Sequence, residues 1–112
     1  MNTNELVKSK AHSIVTLAEY VPHTVISKSI IKKLTGTICV MSFDAGEGLK
    51  EKISPFDTFA QIIEGMAELV IEGTSVFLNA GEVIIIPAHK TSFIRPNGRF
   101  KMILTVIKSG YE

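Results

Sequence analysis

The sequence predicts an all-β sandwich or barrel, and three observations carry that reading. β-Branched and aromatic residues gather in short runs between Thr24 and Ile107. Turn signals rich in Gly, Asn and Pro separate these runs at roughly 8–12-residue intervals, the rhythm of sandwiches and barrels. The chain has 112 residues, which suits one domain with one core (residues 1–112) and leaves no room for two.

The elements follow in chain order. Residues 1–12 are polar and are expected to be loose. Ile14, Leu17, Ala18 and Val21 recur at helical spacing and Pro22 follows. This predicts a short N-terminal helix of about two turns, stopped by the proline, within a segment spanning 1–22. Strands are predicted over Thr24–Lys32, Thr35–Phe43, Phe56–Ile63, Glu68–Ile71, Ser75–Leu78, Val83–Ile86, Thr91–Ile94 and Phe100–Ile107. The turns between them are Asp44-Ala45-Gly46, Glu64-Gly65, Glu72-Gly73, Asn79-Ala80-Gly81 and Pro96-Asn97-Gly98. Met66–Ile71 alternates apolar with polar residues. Val83–Ile86 has no polar residue, which predicts burial on both sides, and Pro87 ends it.

Composition removes several classes of function. Apolar residues make up 46% and charged residues 21% of the chain, so disorder is excluded as its main state. Twelve Lys and Arg face eleven Asp and Glu, a net charge of +1, which argues against a nucleic-acid partner. Cys39 is the one cysteine and sits in an apolar run, as a small buried hydrophobe would; no intramolecular disulfide can form. That usage fits a reducing cytoplasm. The N-terminal MNTNELVKSK lacks the apolar stretch of a secretory signal. The longest apolar run, Val83–Ala88, is far below the roughly 20 residues that span a bilayer. A cytoplasmic protein without a membrane partner is therefore expected. No P-loop, G-x-G-x-x-G, H-E-x-x-H or C-x-x-C motif is present. Lys32-Lys33 and the group Arg95, Arg99 and Lys101 read as solvated faces at turns.

The spacing of certain residues resembles the small cupins. Their first motif runs G-x5-H-x-H-x3-E-x6-G and their second G-x5-P-x-G-x2-H-x3-N. Here Gly46 leads after five residues to Lys52, then Ser54, Thr58 and Gly65; Gly81 leads after five to Pro87, then His89, Ser92 and Pro96. The phrases Ile62-Ile63-Glu64-Gly65 and Ala80-Gly81-Glu82 are also typical. The resemblance covers about residues 35–107. It implies a cupin-type jelly roll, a double-stranded β-helix barrel enclosing a small cavity.

In metal-binding cupins the four ligand positions hold two His, an acidic residue and a third His. Here they hold Lys52, Ser54, Thr58 and Ser92. An ammonium and three hydroxyls are not a divalent-metal set, so no metal and no cofactor is expected. Asp57 and Glu51 each lie one residue off and should face away from the cavity. His89 occupies the motif's glycine position in a tight turn, while His12 and His23 precede the motifs.

Strand parity places Lys52, Ser54, Thr58 and Ser92 on one inward face as candidate ligand-binding residues. The expected function is metal-free binding of a small organic molecule in the cavity. The alternatives are a metal-independent isomerase- or cyclase-like enzyme using the same polar groups, or the ligand-sensing module of a regulatory system. No catalytic residue is identified. Strand Thr24–Lys32 lies outside both motifs, and an unpaired edge there suggests a homodimer.

Overall fold

The computed structural model describes residues 5–111. Eight strands follow a single turn of 3-10 helix at Ile14–Thr16: β1 (Val25–Lys33), β2 (Gly36–Phe43), β3 (Leu49–Ile53), β4 (Thr58–Ile71), β5 (Thr74–Asn79), β6 (Val83–Ile86), β7 (Thr91–Arg95) and β8 (Phe100–Ile107). All the pairings are antiparallel.

Strand β4 organises the barrel because it belongs to two sheets. Its first half, from Thr58 to Gly65, pairs with β6 and β8 and completes the order β1-β2-β8-β4-β6. Its second half pairs with β5 and β7, and β3 extends β7 at the edge. The strand changes sheet where the register with β8 slips between Ile62 and Glu64. Gly65 follows at φ +76°, and a Cβ there would lie 2.3 Å from the Arg99 carbonyl oxygen. Only glycine fits both the left-handed backbone and that approach. The sequence predicted a turn at Glu64-Gly65 between two strands; the structure has one bent strand instead.

The inward faces of the two sheets make the core: Phe43, Ala60, Ile62, Leu69, Phe100 and Met102 are all at most 1% exposed. Phe43 and Phe100 are cross-strand partners and stack with centroids 4.3 Å apart and planes 11° apart. They close one end of the barrel. Cys39 is half-buried, lies opposite Leu104 and packs against this core.

Four expectations are corrected. The two-turn helix is only the 3-10 turn; the segment is tied to the sheet instead, with Val15 O accepting from Lys101 Nζ at 2.5 Å and Glu19 O from Ser42 Oγ at 2.9 Å. Strand β3 has no predicted counterpart; its Lys50, Glu51 and Lys52 mask it, and such charges are usual on an edge strand. Strand β6 is not buried on both sides: Ile84 and Ile86 face the core, while Val83 and Ile85 are 51% and 61% exposed. Residues 5 and 6 are not loose, since Leu6 N–H donates to Ile30 O and Lys32 N–H to the Glu5 carboxylate. They cover part of the β1 edge that the sequence left open. Residues 7–12 form no strand or helix, and residues 1–4 of the expected loose stretch lie outside the described residues.

Of the basic residues read as solvated near β8, Arg95 and Arg99 are exposed and Lys101 is not. Lys101 is 3% exposed, not solvated. It lies on the outer face of β8, beneath the N-terminal segment. Its ammonium donates to Val15 O, lies 3.4 Å from Glu19 Oε1 and sits 4.7 Å from the Tyr20 ring centroid. Arg99 stands 5.1 Å from the same ring and donates to Asp44 Oδ1 at 2.7 Å. Tyr20 donates to Glu64 Oε2 at 2.5 Å, and His23 N–H to Asp44 Oδ2 at 2.8 Å. Polar side chains of the sheet thus strap residues 15–23 down, and Ala18 is buried beneath the strap.

Candidate functional site

At the end of the barrel opposite the Phe43–Phe100 stack lies a cavity of about 120 Å³. Strand alternation builds its floor: Met102, Leu104 and Val106 project inward at every second residue of β8, and Leu69 and Ile94 meet them from β4 and β7. Ile86 and Pro87 close the side next to β6.

The four residues singled out from the sequence all line this cavity. Lys52 and Ser92 are cross-strand partners on β3 and β7, which sets their Cβ atoms about 5 Å apart. Thr58 starts β4 between Ile86 and Val106. Ser54 follows the end of β3. Ser92 is buried, Ser54 and Thr58 are half-buried, and Lys52 is exposed at the mouth. Between Leu49 and Lys52 the β3–β7 register slips. Leu49 therefore faces Ile94 on the inside, and Lys52 faces inside as well despite the odd spacing.

Two further lysines stand at the mouth, Lys50 and Lys90. The sequence reading missed both, though the signal was present: Lys50 stands two residues before Lys52, and Lys90 two residues before Ser92. Three ammonium groups thus line a cavity to which no Asp, Glu or His contributes. Lys50 and Lys52 have no carboxylate within ion-pair distance among the described residues, and Lys90 has only Glu72, at 3.9 Å. Thr91 N–H and then the Thr91 hydroxyl hold the Glu72 carboxyl below its usual range, so that acid is committed to the adjoining turn.

Hydrogen bonds shape the rim. His89 N–H donates to Ser54 O at 2.7 Å, Phe56 N–H to Ser54 Oγ at 3.2 Å and Ala88 N–H to Asp57 Oδ1 at 2.8 Å. Residues 54–57 and 87–90 are therefore fastened to each other. His89 is exposed with φ 67°, the left-handed backbone that the motif's glycine would supply. Asp57 is exposed and caps the turn, and neither it nor Glu51 lines the cavity. His12 is exposed and contacts Val7 O, and His23 is exposed beside the N-terminal strap.

The residues at the family's ligand positions do not fit a divalent metal. An ammonium at Lys52 repels the ion, and the hydroxyls of Ser54, Thr58 and Ser92 are weak donors to it. No group of three His, Cys, Asp or Glu side chains among the described residues is placed to hold a metal ion. The site is instead a small apolar chamber with hydroxyls on its wall and cations at its mouth. No described helix is long and apolar enough to cross a membrane.

Comparison with known proteins agrees with this architecture. A conserved protein of unknown function from Streptococcus pyogenes superposes with a TM-score of 0.89 at 23% identity, covering 96% of this chain and 94% of that one. A cupin superfamily protein from Desulfitobacterium hafniense reaches 0.84 at 25% identity, covering 96% and 97%. A cupin 2 conserved barrel domain protein from Leptotrichia buccalis reaches 0.81 at 25% identity, covering 84% of this chain and 46% of that one. No curated protein matches. The family model for the ethanolamine utilisation protein EutQ matches residues 26–105. The chain is a small cupin-type protein and belongs to the EutQ family.

Proposed function

We propose that this protein binds a small organic molecule in its barrel cavity without a metal. The carrying observation is the chamber itself: an apolar floor, three hydroxyl residues and a fastened rim converge on about 120 Å³. A few polar groups in an apolar concavity are the usual form of a small-molecule site, and this volume suits a ligand well below drug size. The family name refers to ethanolamine utilisation. Ethanolamine is an ammonium at neutral pH, and three lysines at the mouth oppose its entry. Thermal unfolding across a metabolite library tests the reading. A ligand at 100 times its Kd adds about 2.7 kcal/mol of stability, whereas a library without any shift counts against it.

We also propose that the protein is a homodimer whose second copy packs on the outer face of the β1-β2-β8-β4-β6 sheet. One register row there, Ile31–Ile38–Thr105–Phe59–Ile85, crosses five strands without a charge. Ile31, Phe59 and Ile85 are exposed. An uncharged apolar row can meet its own copy across a two-fold axis, where a charged row would repel itself. Light scattering is expected to give twice the 12.3 kDa chain mass, and Ile85→Lys to halve it. A monomer at tens of micromolar would contradict the dimer.

A further inference from the structure

We infer that the cavity selects an amphipathic organic anion, with the apolar body inside the barrel and the anionic head at the mouth. The inference rests on the proposal that the cavity binds a small molecule and names the chemistry of that molecule. The interior and the rim ask for different things. Leu69, Ile94, Met102 and Leu104 offer the interior no charge and no strong hydrogen bond. They favour methylene groups through removal of apolar surface from water. The rim offers Lys50, Lys52 and Lys90.

Lysines on a protein surface are ordinarily balanced by neighbouring acids. Here, among the described residues, only Lys90 has an acid within ion-pair distance, Glu72 at 3.9 Å, and that carboxylate is also held by Thr91. Glu51 lies between Lys50 and Lys52 but does not line the cavity, and Asp57 is hydrogen-bonded to Ala88 N–H. Three cations around one opening repel one another, and an anion between them relieves that repulsion. Ser92, the cross-strand neighbour of Lys52, and Thr58 add hydroxyl donors for the oxygens of the head group. A carboxylate and a phosphate monoester share this chemistry; a neutral alcohol lacks the charge and an ammonium has the wrong sign.

Calorimetric titration of the full chain with hexanoate, hexyl phosphate, 1-hexanol and hexylammonium tests the inference. Both anions are expected to bind at least tenfold more tightly than hexanol, and hexylammonium more weakly still. Tighter binding of hexyl phosphate than of hexanoate would assign the head group as a phosphate, and the reverse as a carboxylate; either order supports the inference. Raising NaCl from 50 to 500 mM should weaken the anions several-fold and leave hexanol unchanged. Lys50→Met with Lys52→Met should remove most of the preference for anions, while Lys52→Arg keeps it. These side chains are exposed, so an unchanged unfolding midpoint verifies that the variants fold. Equal affinity for hexanoate and hexanol would overturn the anion selectivity while leaving cavity binding in place. Absence of binding by all four probes at millimolar concentration would overturn both.

Discussion

Four lysines of this barrel occupy two opposite environments. Lys101 is buried on the outer face of the sheet, with the Val15 carbonyl, the Glu19 carboxylate and the Tyr20 ring around its ammonium. Lys50, Lys52 and Lys90 ring the cavity mouth, and the first two have no acidic partner among the described residues. A buried cation with its partners supplied from its own chain is explained by folding alone. Unpartnered cations around a chamber contribute nothing to folding, so their placement points to something that arrives from outside. The difference is one of satisfaction rather than residue type.

The largest effect expected from this contrast is on stability. Lys101→Ala removes charge-assisted contacts to two residues and leaves a gap under the N-terminal segment. It should cost about 3 kcal/mol, read as a lower urea midpoint with an unchanged m-value. The same change at Lys50, Lys52 or Lys90 should stay within about 0.5 kcal/mol, as for exposed sites. A Lys101→Ala variant with an unchanged midpoint would contradict the role given to these contacts. Tyr20→Phe is the next smaller step. It leaves Glu64 without its 2.5 Å partner and should cost about 1 kcal/mol by the same measurement.

The pH dependence sharpens the same contrast at both ends of the scale. The His23 N–H and then the Arg99 guanidinium hold the Asp44 carboxyl down at about 2. The Lys32 N–H and then the Lys33 side chain lower Glu5. Folded values below unfolded ones mean that this stability is complete above the ordinary carboxylate range and is lost as pH falls from about 4 towards 2. Asp44→Asn should flatten part of that loss in acid unfolding curves. Burial and then the hydrogen bond to Glu64 push the Tyr20 phenol above its ordinary value. Its contribution is complete below the unfolded value near 10 and is lost as pH rises from there through the raised folded value, and Tyr20→Phe should remove that alkaline slope.

Legibility in the sequence followed how local each signal is. The motif spacing and the period-two alternation are local, and they led to Lys52, Ser54, Thr58 and Ser92, which the structure brings around one cavity. Lys50 and Lys90 stand two residues before Lys52 and Ser92, yet Lys50 sits among charges on an edge strand that read as loop, and Lys90 precedes β7. Lys101 could not be read, because its burial depends on Val15, 86 residues away in sequence. The helix predicted from Ile14, Leu17, Ala18 and Val21 failed for the same reason. Its apolar spacing was real, but contacts to Ser42 and Lys101, distant in sequence, tie the segment down in another conformation. The exposed half of β6 was hidden by composition, since four aliphatic residues in a row give no clue to which face meets the core.

This barrel keeps the cupin cavity while its ligand positions hold an ammonium and three hydroxyls, which suit no divalent metal. Metal content after equilibration with zinc or nickel and gel filtration tests it most directly, with the parent compared to the variant Lys52→His, Ser54→His, Thr58→Glu and Ser92→His. All four positions line one cavity, so the variant should retain about one equivalent of metal, with ligand distances of about 2.0–2.2 Å by X-ray absorption. The parent should elute with none. A parent that retains one equivalent, removed by chelator and unaffected by removal of any purification tag, would contradict the claim.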